Sequence, residues 1–198
     1  MNKDIETAVK KSQRCQRNWD LNKTIPDNDL QTIVTAATEC PSKQNIDFYQ
    51  VHVIRDREII EDIHDNTFFE NDYDDGKGRT NPQVLANVVL AFTKNDITKK
   101  DQNQEVHDWT QDTLDKDLHQ SVGVAAGMVN LSASLMGYQT GCCACFKSDE
   151  IKKILGTEQE PVLLMGVGFR DEDKNRRQHH VTDDMIPSFN KEIKVNYL

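Results

Sequence analysis

The chain is short of positive charge, of long apolar runs and of evenly paired cysteines, and each shortage removes a class of function. Its 198 residues carry 24 Lys and Arg against 33 Asp and Glu, a formal net charge of -9, and its pI is near 5.1. Binding to a nucleic-acid backbone is driven by clustered Lys and Arg that release counterions. The basic pairs here, Lys10-Lys11 and Arg176-Arg177, are too short to form a stripe, so no nucleic-acid partner is expected. No apolar run approaches the roughly 18–20 residues of a membrane span, and no stretch near the N-terminus has the apolar core of a signal peptide. The expectation is a soluble, cytoplasmic protein without a membrane partner.

The five cysteines are an odd number, and three of them crowd into GCCACF at 141–146, unlike the spread pairs of a small secreted framework. Cys142, Cys143 and Cys145 lack a second C-x-x-C or a His pair at ligand spacing. No metal is expected, and these residues read as compact hydrophobes on a strand. A Ser/His/Asp or Cys/His set is missing too. His52, His64, His107, His119, His179 and His180 show no motif spacing and read as surface or internally satisfied side chains.

What is present fits one domain over residues 1–198, with 36% hydrophobic residues and a mean hydropathy of -0.71. That is polar for its length, and part of the core is expected to be completed by a partner subunit. Ile5, Ala8 and Val9 mark a helix over 3–14, and Leu30, Ile33, Val34 and Ala37 a core-facing helix that starts at Pro26-Asp27 and stops by Pro41. The alternation in FYQVHVI at 48–54 predicts a half-exposed strand, followed by helical spacing over 57–63. Residues 62–79 are acidic and irregular around Phe68, Phe69 and Tyr73, either a lid or a solvated loop. The apolar run at 84–92 reads as a buried strand, 122–136 as a helix rich in small residues that ends at Gly137, and 138–146 as a strand. A short helix over 148–155 with Ser148 as its N-cap and a buried strand over 161–169 follow. Ile193, Val195, Tyr197 and Leu198 alternate at the end like an arm that adds to a sheet elsewhere.

Two segments point to chemistry. QRCQRNW at 13–19 sets Arg14 and Arg17 on one face, and PSKQN at 41–45 is a tight polar turn before an aromatic strand. Guanidinium forks suit a phosphate, and the turn suits the edge of a planar ring. The pair resembles the FMN-anchoring segments of the nitroreductase family, Arg-Arg-Ser-x-Arg-x-Phe and Pro-Ser-x-x-Asn. The resemblance continues in order through the strand at 86–90, the small-residue helix, Gly-Tyr-x-Thr-Gly at 137–141, Glu160-Pro161-Val162 with Gly168, and a basic cluster near the C-terminus.

The resemblance implies an α+β fold, a central, mostly antiparallel sheet flanked by helices, in a homodimer with an extended C-terminal arm. It implies FMN as cofactor and NADPH or NADH as reductant, with hydride passed to a small electron-poor aromatic acceptor such as a nitroaromatic, a quinone or a flavin. Carried over by position, Arg14, Cys15 and Arg17 take the phosphate segment, with Gln13 and Cys15 replacing a basic residue and a Ser. Lys174 and Arg176 close over the phosphate, with Arg177 a one-residue alternative. Pro41, Ser42 and Asn45 approach the ring and its ribityl edge, and Asp47 is an unusual carboxylate nearby. Cys142, Cys143 and Ala144 fall on the strand end beside the ring's reactive edge, while Phe68, Phe69 and Tyr73 are the candidate substrate contacts. No residue is expected to act as acid or base, since the flavin carries the chemistry. Rival readings are a specialised relative, dehalogenating or flavin-degrading, a flavin-binding protein without turnover, and an α+β domain that binds no flavin.

Overall fold

A computed structural model describes residues 3–67, 80–97, 110–180, 182–188 and 191–198. Along the chain run α1 (Lys3–Ser12), α2 (Asp27–Thr38), a 3-10 turn at Lys43–Asn45, β1 (Tyr49–Ile54), α3 (Arg57–Asp65) and a second 3-10 turn at Pro82–Val84. Then come β2 (Val88–Lys94), α4 (Gln111–Leu135), β3 (Gln139–Cys143), α5 (Ser148–Leu155) and β4 (Pro161–Gly168). The strands form one sheet in the order β1-β2-β4-β3, and all three pairings are antiparallel. This is the α+β architecture expected from the sequence.

The continuous apolar run of β2 has a simple cause: both faces of the sheet are covered. Leu90 and Phe92 point to the face where α2 and α4 pack, joining Ile33, Val122, Ala125, Val129, Met165 and Val167. Val89 and Ala91 point to the other face, with Ile60 and Ile63 of α3, Ile151 of α5 and Leu164. Each fully buried aliphatic side chain of this kind contributes about 1.5–3 kcal/mol. Because neither face is wet, the period-two signal vanishes from the sequence, and the start of the strand is misplaced when read from it. Val84 belongs to the 3-10 turn, and the strand begins at Val88.

Other boundaries also differ from expectation. Helix α4 starts at Gln111, where the Thr110 hydroxyl accepts the Thr113 N–H, because its first turns are polar and lack the small-residue signature. It ends as expected at Gly137, whose φ of 89° is available to glycine; the Tyr138 N–H reaches back to the Ala133 carbonyl at 2.8 Å. Asp62 to Asp65 are the last turn of α3 rather than loop. In α5, Lys147 occupies the N-cap position and gives no side-chain cap; Ser148 instead donates to Glu160. Strand β3 stops at Cys143. Ile5 and Val9 of α1 are exposed and only Ala8 is buried. Residues 191–198 have no regular structure, and Ile193, Val195, Tyr197 and Leu198 are exposed. None of the described helices is long and apolar enough to cross a membrane.

Candidate functional site

Residues 13–19 leave α1 through a turn in which the Arg14 N–H bonds the Lys11 carbonyl, then run over β3, where the Gln16 N–H donates to the Thr140 carbonyl at 2.8 Å. The crossing is close because position 141 is glycine: a Cβ there would lie 2.6 Å from the Gln16 carbonyl oxygen. Trp19 anchors the far end, its buried indole donating to the Pro82 carbonyl at 2.9 Å. Burial alternates along the segment, with Gln16 and Asn18 inside and Cys15 and Arg17 half-buried.

The inward Asn18 captures the C-terminal part of the chain. Its amide donates to the carbonyls of Asn175 at 2.9 Å and Gln178 at 2.7 Å. Thus held, Arg176 donates to the Cys15 carbonyl at 3.3 Å. Burial depresses the proton affinity of Arg176, and repulsion from Arg14, Arg17 and Arg177 adds to it. Among the described residues, none of these four guanidinium groups forms an ion pair with a carboxylate. The Nε of Arg17 is buried with no hydrogen-bond partner.

The thiols nearby are packing groups. Cys15 donates weakly to the Cys142 carbonyl at 3.9 Å. Burial raises its pKa against the pull of Arg17 and Arg176. Burial likewise pushes Cys142 up to about 11 and Cys143 up to about 12, so both are neutral thiols at physiological pH. Cys143 lies in the core between the sheet and α5, and Ala144 is exposed just beyond the strand.

The 41–45 turn is elsewhere. Pro41 and Asn45 are exposed, the Ser42 hydroxyl donates to the Ile46 carbonyl at 2.7 Å, and Gln44 and Asn45 hold φ values of 53° and 58°. Lys43 pins the turn to α4 through Asp117 at 2.7 Å. Asp47 is engaged by the Asn95 amide at 3.0 Å. The segment carrying Arg14 and Arg17 is tied instead to Thr140 of β3, whose hydroxyl in turn donates to Asn130. From Asp117 to Asn130 the helix rises about 20 Å. Within one chain, then, Arg14, Cys15, Arg17, Cys142 and Arg176 come together, while Pro41, Ser42 and Asn45 sit towards the opposite end of α4. Lys174 is exposed, and its charge acts on His180. Phe68, Phe69 and Tyr73 lie outside the described residues.

Two features escaped the sequence. Asn18 had no motif to mark it. His64, His179 and His180 form a cluster, of which only the His179-His180 dipeptide was visible. Among the described residues, no group of three or more His, Cys, Asp or Glu is placed to hold a metal.

The nitroreductase family model matches residues 11–169, most of the chain. The chain belongs to the nitroreductase family. As a nitroreductase-family member it shares its fold with solved structures at low identity. A candidate NAD(P)H:FMN oxidoreductase from Staphylococcus epidermidis is 18% identical, with TM-score 0.66 over 88% of this chain and 90% of its own. A candidate nitroreductase from Exiguobacterium sibiricum, solved in complex with FMN, is 19% identical, with TM-score 0.67 over 93% and 91%. An enone reductase of gut-bacterial fatty acid saturation is 17% identical, with TM-score 0.67 over 91% and 95%. No curated protein sequence gives a significant match. Against this background the crowded, unneutralised guanidinium groups of Arg14, Arg17 and Arg176 and the orphaned Arg17 Nε fit the phosphate of an FMN.

Proposed function

We propose that the chain is an FMN-dependent oxidoreductase that takes hydride from NADPH or NADH and passes it to an electron-poor aromatic acceptor, a nitroaromatic, a quinone or a flavin. The observation that carries this reading is the guanidinium cluster. In a chain of net charge -9, four like charges held together, with no carboxylate paired to them among the described residues, suit an anion, and each charge-assisted bond to a phosphate contributes about 1.5–3 kcal/mol. Bound FMN would supply the hydride chemistry. The residues bind and orient: Arg14, Arg17 and Arg176 hold the phosphate tail, Asn18 keeps Arg176 in position, and Cys15 and Cys142 fill space beside it as neutral thiols.

The remaining half of the site, Pro41, Ser42 and Asn45, is too far along α4 to join this cluster in one chain, which supports a homodimer in which a second copy brings its turn to the cluster. The exposed face of α4 supports the same assembly. Val124, Met128 and Leu135 are exposed at helical spacing, and a Cβ on Gly123 or Gly127 would meet nothing within 4 Å, which leaves room for another backbone. The exposed apolar residues of 191–198 would serve as the arm. Five free cysteines suit a reducing compartment, the cytoplasm.

The test is the visible absorption spectrum of the purified protein, followed by anaerobic titration with NADPH and NADH. A yellow protein bleached by one equivalent of a nicotinamide is expected, and steady turnover with a quinone or nitroaromatic separates an enzyme from a flavin-binding protein. A colourless protein that takes up no added FMN would overturn the reading.

A further inference from the structure

The segment 174–180 that carries Arg176 ends in three histidine rings. His179 is buried, with its Nε2 3.1 Å from the Thr80 carbonyl and its Nδ1 accepting the Thr182 N–H at 3.3 Å. These partners select one neutral tautomer, because the carbonyl takes a donor and the N–H takes a lone pair. His180 stacks on His179 with ring centroids 5.0 Å apart, and His64 of α3 meets His180 edge-on, also at 5.0 Å. The Nε2 of His64 and the Nδ1 of His180 are buried without hydrogen-bond partners.

The described charges around the rings come from three places. Helix α3 presents Arg57 and Asp65, the latter 3.2 Å from His64 Nδ1. The segment itself presents Lys174. The turn after it holds Asp183, whose carboxylate is taken by Gln178, and Asp184, whose carbonyl takes the His179 N–H. The Pro82–Val84 turn has no ionisable side chain. Arg57 and Lys174 both oppose a further positive charge among the rings.

We propose that the 174–180 strap stays docked, and with it Arg176 on the phosphate site, only while the His64 and His180 rings are uncharged, so that these two histidines are positioning residues and the protein releases FMN as the pH falls. This rests on the FMN reading above. Burial and the neighbouring rings push His180 down to about 4, and burial lowers His64 in spite of Asp65, whereas a free imidazole titrates near 6.5. Between those values the undocked strap binds more protons than the docked one. The stabilisation is therefore complete above about pH 6.5 and is lost as the pH falls towards 4.

The test is hydrogen exchange of the amides of 175–180 at pH 7.5 and 5.0, corrected for intrinsic exchange rates and made first without FMN, so that it reads the strap even if no flavin binds. Protection is expected to fall on the order of tenfold at pH 5.0. FMN release, followed by recovery of flavin fluorescence, should accelerate by a similar factor. A phosphate monoester itself titrates near pH 6, so the deciding comparison is His64→Phe/His180→Phe, which keeps the rings without the protons. This variant should retain its protection and its slow release at pH 5.0. Should it lose protection as the parent does, His64 and His180 are not the sensor. If the variant does not fold, ring-nitrogen NMR of the parent decides: a histidine titrating well below 6 together with the 175–180 amides upholds the proposal, and rings titrating near 6.5 without them overturn it. Loss of FMN at low pH with unchanged exchange in 175–180 would likewise overturn it.

Discussion

The two ends of helix α4 hold two halves of one expected site, and they are built on opposite principles. Near Asn130, cations are brought together without a carboxylate partner among the described residues: Arg176 suffers repulsion from Arg14, Arg17 and Arg177, and Arg17 keeps an orphaned Nε. Near Asp117 the turn is held by its own contacts, Lys43 by Asp117 and the Ser42 hydroxyl by the Ile46 carbonyl. The first end has an excess of positive charge that suits an anionic ligand. The second has a finished shape, set by two residues in the left-handed region, which can only be offered to something that arrives. Electrostatic demand at one end and preformed geometry at the other are what a shared site between two copies would require.

The largest effect should come from separating the copies. Val124→Asp with Met128→Lys places charges on the exposed apolar stripe of α4, where burial would cost several kcal/mol. The sedimenting mass is expected to halve and the flavin to be lost; a monomer that stays yellow would show that one chain suffices. A sharper form mixes an Arg17→Ala/Arg176→Ala chain with an Asn45→Ala chain. Mixed dimers should regain one intact site, which cannot happen if each site is built within one chain.

Next in size is the cation-rich end by itself. Arg17→Ala and Arg176→Ala should each weaken FMN about 10–100-fold in a fluorescence titration, in line with about 1.5–3 kcal/mol for a charge-assisted bond. Riboflavin, which lacks the phosphate, should bind the variants and the parent alike. Asn45→Ala removes a neutral contact of about 1 kcal/mol, roughly fivefold in affinity, and should affect riboflavin and FMN equally. Smallest is Lys43→Ala, since its partly exposed pair with Asp117 is worth at most about 1 kcal/mol; flavin affinity should move by no more than about fivefold.

The architecture was legible in the sequence wherever one face of an element is wet. Tyr49–Ile54 could be read because β1 is only partly buried, with Gln50 and Val53 exposed, and α2 shows its stripe because only one side is buried. Legibility failed where burial is two-sided, at the start of β2, and where a helix runs on in polar residues, as in the first turns of α4. In the site, Arg14, Arg17 and Arg176 could be named from their motif positions. That Pro41, Ser42 and Asn45 lie near the other end of the same helix could not be read, because motif order along the chain carries no information about distance across it. Asn18 and the histidines were hidden for a related reason. Their role comes from carbonyls far away in sequence, to which no spacing rule applies.

The bond from Arg176 to the Cys15 carbonyl spans 161 residues of sequence, and this separation governs when the site can exist. A chain emerging from the ribosome would expose Arg14 and Arg17 before Arg176, which follows β4, the last strand of the sheet, by only a few residues. Cofactor capture would thus wait until synthesis has passed Arg176, and the early cations would remain without their counterpart until then.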